Sequence, residues 1–114
     1  MGHPAIYSAV CGNQYFHQMR FAAKGDYIPT HEHTYPHVLQ VVRGRLLVAA
    51  GDERTEVGAN QFFDVPAGVE HGLLALEDDT FAQCTHVMRW PDGTVVPFDY
   101  KLSARERLEI TGAL

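Results

Sequence analysis

Between residues 30 and 38 the chain reads THEHTYPHV, three histidines within seven positions. Neutral imidazole is the commonest side-chain ligand for transition metals and suits iron, nickel, copper and zinc. In an extended segment alternate side chains share a face, so His31 and His33 point the same way and can bind one ion together, with Glu32 turned aside. Pro36 interrupts the run, and His37 then opens the next strand and can present a third imidazole from a neighbouring direction. A second segment, PAGVEHG, places His71 just after a Pro/Gly turn at the head of an apolar run, where an emerging strand would turn one side chain inward. A lone H-x-H could equally be a pair of surface histidines without a ligand role. That plainer reading leaves His71 unexplained.

The elements that must hold these residues recur as short apolar runs closed by turn residues. QYFHQMRF (14–21) precedes AKGD, HVLQVV (37–42) precedes RG, and RLLVAA (45–50) precedes GDE. Further on, QFFDV precedes PAG, HGLLAL precedes EDD, and TFAQCTHVMRW precedes PDG. Closely spaced turns rich in Gly, Pro and Asp predict a sandwich or barrel of short antiparallel strands. The tail reads differently: in SARERLEI, Ser103 and Glu106 have capping-box spacing and Gly112 follows the last turn, predicting one short helix over about 103–111.

At 114 residues, 46% apolar and 20% charged, the chain fits one folded domain, residues 1–114. The formal charge of -5, with nine scattered Lys and Arg, argues against a nucleic-acid surface. No apolar run approaches the roughly 18 residues that a membrane span needs. Cys11 and Cys84 form no CxxC pair and read as buried free thiols, and the start shows neither a signal peptide nor a myristoylation signal. A cytoplasmic protein is expected, without nucleic-acid or membrane partners. No Ser/His/Asp arrangement or phosphate-binding loop indicates covalent catalysis.

Taken together, the motifs resemble those of the cupin superfamily. The first cupin motif, G-x5-H-x-H-x3-4-E-x6-G, is matched by Gly25, His31, His33, His37 and Gly44. The second, ending P-x-G-x2-H, is matched by Gly58, Pro66, Gly68 and His71. The resemblance covers residues 25 to about 76 and implies an all-β double-stranded β-helix, or jelly-roll barrel, holding one divalent transition metal ion (iron, nickel or zinc). By resemblance His31, His33 and His71 fall on the three histidine ligands, and His37 stands where most cupins carry glutamate. Four neutral imidazoles would leave the ion a stronger electrophile than three histidines and a carboxylate. Alternatively His37 swings aside and three histidines hold the ion. Ala75 stands at the place of a second-motif Asn that is not a ligand.

Around such a site, motif position and strand parity offer Tyr35, Gln40, Phe62 and Met88 as pocket residues, each of which could equally be core filler. His86 shares a face with Cys84 and Met88 and is a candidate general acid or base if that face is inward. Glu32 and Glu70 read as surface rim, and His17 as a strand-face residue. The expected function is a small metalloenzyme acting on an oxygen-rich small molecule, as a dioxygenase or as a lyase or isomerase. The alternative is a non-catalytic metal-dependent binding protein. Exposed strand edges imply a homodimer, joined through the N-terminal strand NQYFHQMRF (13–21) or the C-terminal helix.

Overall fold

The computed structural model describes residues 2–100, and among these the chain forms strands and no helix. In order they are β1 (Ala5–Cys11), β2 (Gln14–Phe21), β3 (Tyr27–His31), β4 (His37–Arg43), β5 (Arg45–Ala50), β6 (Glu53–Gly58), β7 (Phe62–Val65), β8 (His71–Ala75) and β9 (Thr80–Val87). One sheet has the order β1-β2-β9-β4-β7 and the other β3-β8-β5-β6. All their pairings are antiparallel. The two sheets pack face to face as a jelly roll.

Alternation explains which side faces in. In β2, Tyr15, Met19 and Phe21 are buried, in β4 His37, Leu39 and Val41, and in β5 Leu46 and Val48. These residues share one face of each strand, as the period of two requires. Met19, Phe21, Leu39, Val41 and Ala82 from the first sheet meet Leu46, Val48, Val57, Leu73 and Ala75 from the second in one apolar cluster. The cluster fills one end of the sandwich. The other end is left for the histidines.

Gly44 lets the chain cross from one sheet to the other between β4 and β5. Its φ is +83°, and a Cβ there would stand 2.9 Å from the Thr80 Cα and closer still to the Thr80 hydroxyl. Only glycine accepts both the left-handed backbone and that approach.

Two expectations need revision. The 14–21 strand is not an edge: β1 pairs with it along its whole length, from Ala5↔Arg20 to Cys11↔Gln14, and β9 covers its other side. The strand AIYSAVC escaped notice because it buries almost nothing, so no core-facing alternation marks it. Cys11, expected to be buried, is exposed, because β1 turns almost no side chain into the core. The expected helix over 103–111 lies outside the described residues.

Candidate metal centre and its cavity

His31 ends β3 and His71 begins β8, and the two are register partners. The register of this pair shifts between Ile28 and His31, the kind of irregularity that re-aims a side chain beside a site. His33 follows in the loop to β4. The ligand atoms of His31, His33 and His71 all lie within 4.8 Å of one another. Ring centroids are 4.3 Å apart for His31 and His71 and 4.6 Å for His31 and His33.

Each of these rings is held through Nδ1. His31 Nδ1–H donates to the Pro29 carbonyl at 2.8 Å, and His71 Nδ1–H to the Val69 carbonyl at 3.0 Å. His33 Nδ1–H donates to the Asp99 carboxylate at 3.1 Å, and that carboxylate also accepts the Thr34 amide at 3.1 Å. Carbonyl and ionised carboxylate oxygens only accept, so the proton sits on Nδ1 and Nε2 keeps its lone pair. This is the arrangement that prepares a histidine to bind a metal.

His37, at the head of β4, is 5% exposed, and its Nδ1 is buried with no hydrogen-bond partner. Its ring lies 5.0 Å from His71 and 5.6 Å from His33, beside the close trio but outside it. An unpartnered buried nitrogen is costly, and coordination would relieve it. Burial, reinforced by His71 and His33, holds His37 down at about 3. Burial likewise lowers His71, and lowers His33 against the opposing pull of Asp99. Neutral imidazole is the ligating form. The donor set, its orientation and the stranded nitrogen all fit a divalent transition metal ion.

The trio opens on a cavity of about 160 Å³ between the sheets, lined among others by Met19, Leu39, Leu73, Tyr35 and Tyr100. Six of the chain's seven histidines line it: His17, His31, His33, His37, His71 and His86. Tyr35 is buried and stacks on His33 at 4.7 Å. His86 is buried on the inner face of β9, donates Nδ1–H to the Val87 carbonyl at 2.9 Å and accepts the Tyr100 hydroxyl at Nε2, also at 2.9 Å. Burial lowers His86 as well.

Three other pocket expectations fall elsewhere. Met88 is fully buried but packs behind the cavity against Tyr15, its sulfur 3.1 Å from the Tyr100 hydroxyl. Gln40 and Phe62 are register partners on the outer face, where Phe62 is 66% exposed. His37, Leu39 and Val41 take the inward positions of β4, and parity turns Gln40 out. Glu32 and Glu70 are exposed.

The sequence reading missed His17, Asp99 and Tyr100. His17 shares inward parity with Tyr15, Met19 and Phe21, a signal present in QYFHQMRF. Asp99 reaches His33 across 66 positions, and nothing local announces that pairing.

A family model described as "Cupin domain" matches residues 17–88. Among solved structures, a cupin-2 domain containing protein from Shewanella frigidimarina is similar at 21% identity over 76% of this chain and 83% of that one, with a TM-score of 0.62. KdgF from Halomonas sp. is similar at 23% identity over 75% and 80%, with a TM-score of 0.64. A recombinant oxalate oxidase in complex with glycolate is similar at 18% identity over 74% and 50%, with a TM-score of 0.65. A comparison with curated protein sequences found no match.

Proposed function

Because the chain belongs to the cupin family, we propose that it is a small metalloenzyme that holds one divalent iron, nickel or zinc ion and acts on an oxygen-rich small molecule. The observation that carries this reading is the shared orientation of His31, His33 and His71, each fixed through Nδ1 with Nε2 left to ligate. When bound, the ion would supply Lewis acidity toward a carbonyl, enolate or carboxylate oxygen and, if iron, redox capacity toward dioxygen. His37 would either complete the ligand set or stand beside a three-histidine site.

The protein's own groups supply the rest. Asp99 holds His33 in its ligating tautomer. Tyr35 and the apolar wall limit water around the substrate. His86, with Nδ1–H fixed on Val87, has Nε2 as its basic nitrogen, so a proton taken up at the Tyr100 oxygen can pass to His86 Nε2.

One observation favours a non-catalytic, metal-dependent binding protein instead: among the described residues no Asp or Glu lines the cavity to serve as a proton acceptor. His86→Phe separates the two, since an enzyme would lose turnover while keeping its metal. We further propose a cytoplasmic homodimer. The two free cysteines are compatible with a reducing compartment, and the outer edge of β1, unpaired among the described residues, offers a pairing surface.

The test is elemental analysis by mass spectrometry of untagged protein purified without chelator. We expect about one equivalent of iron, nickel or zinc per chain, held roughly ten- to a hundredfold less tightly by Asp99→Asn. No bound metal, even after anaerobic addition of each ion, would end the metalloenzyme reading.

A further inference from the structure

The wall facing the trio has its own polar group. His31 and His71 stand on the β3-β8 sheet and His17 on the opposite sheet, and all three line the same cavity. His17 Nδ1 lies 3.2 Å from the Ser8 hydroxyl and 3.4 Å from the Tyr15 hydroxyl. Tyr15 O–H donates to Ser8 Oγ at 3.2 Å, which leaves the Ser8 proton for His17 Nδ1. With Nδ1 accepting, neutral His17 carries its proton on Nε2. The trio therefore offers lone pairs, while His17 offers a donor.

Size and charge narrow what fits between them. A cavity of about 160 Å³ is close to the engineered void of about 150 Å³ that accepts benzene, so the occupant is built on a single ring or its equivalent. Tyr15 and Tyr100 are stacked at 4.2 Å, and Tyr35 meets Tyr100 edge-on, which gives the cavity flat walls. Among the described residues no Lys or Arg lines it. One ionised oxygen can be answered at the metal end. A second charge would be desolvated without a partner.

Resting on the metal reading above, we propose that the cavity takes a small planar molecule with one ionisable oxygen at the trio and an uncharged hydrogen-bond acceptor at His17. His17 sets the preference for that acceptor, and Ser8 acts as its positioning residue.

Three probes test this on the full chain as purified, with metal content measured in the same sample. 4-Hydroxyacetophenone presents a hydroxyl and a carbonyl, 4-isopropylphenol replaces the carbonyl oxygen by a methyl group, and terephthalate carries a charge at both ends. NMR titration should show 4-hydroxyacetophenone binding at least about fivefold more tightly than 4-isopropylphenol, with one hydrogen bond supplying about fivefold. Terephthalate should not bind at concentrations that saturate the ketone. His17→Phe should lower this ratio about fivefold without weakening 4-isopropylphenol. Ser8→Ala, at an exposed position, should lower the ratio, and it decides the matter if His17→Phe does not fold. The acyl group makes 4-hydroxyacetophenone the more acidic phenol and so the better partner for the trio; the share of the ratio that belongs to His17 is the share that His17→Phe removes. Absence of metal would overturn the metal reading and leave that share standing. A ratio near one in the wild type, a ratio unmoved by the substitutions, or tight terephthalate binding would overturn the proposal.

Discussion

At His37 two demands meet on one side chain. The ring is buried deeply enough to resist protonation, yet its Nδ1 has no hydrogen-bond partner. In metal-free protein this nitrogen is a cost, so we expect His37→Leu to leave the stability of chelator-treated protein unchanged or raised at pH 7. Acid should separate the two further. A histidine at the usual 6.5 when unfolded and about 3 when folded binds more protons in the unfolded state, so its contribution is present above 6.5 and is lost as pH falls toward 3. Each unit in that window costs the wild type about 1.4 kcal/mol that His37→Leu does not lose. Urea denaturation at pH 7, 6 and 5 measures the difference; parallel pH slopes would show that His37 is not the group responsible. That His31, His33 and His71 converge was legible from the closeness of the first two, the turn before His71 and the resemblance to the cupin motifs. Asp99 was not, because its partnership with His33 exists only after distant loops meet, and His17 was passed over although its parity was readable.

Among the elements, the turns were the most readable and the solvated strands the least. Gly, Pro and Asp clusters marked the ends of β2, β4, β5, β7, β8 and β9. β1 and β6 were hidden because one buries almost no side chain and the other only Val57. Gly44 illustrates why a motif glycine can matter to architecture. Gly44→Ala would impose a left-handed alanine and press its methyl group on Thr80, and we expect a loss of about 2 kcal/mol or more. Gly51 also has positive φ, +57°, but open space around it, so Gly51→Ala should cost only about 1 kcal/mol. Equal urea midpoints for the two variants would contradict the steric account.

For the whole molecule, the two-sheet architecture was readable from turn spacing and the paired motifs, but which strand stands at its edge was not. One edge of the larger sheet belongs to β1, whose AIYSAVC carries no charged side chain and exposes Ile6 and Tyr7 at 44% and 60%. Natural edges are usually blunted by charge or proline. We expect β1 to pair with its counterpart in a second copy, so light scattering after size exclusion should report a dimer, and Tyr7→Lys should shift it toward monomer. A monomeric wild type at micromolar concentration would refute this.

The cavity also has a history along the chain. Its walls come from register partners far apart in sequence, His31 with His71 and His17 with Cys84. A growing polypeptide that has delivered only its first half therefore carries His31 and His33 but no chamber around them. The three histidines that could hold a metal meet only when β8 pairs with β3, so their grouping must await delivery of His71, and the chamber around them the closing of β2 on β9.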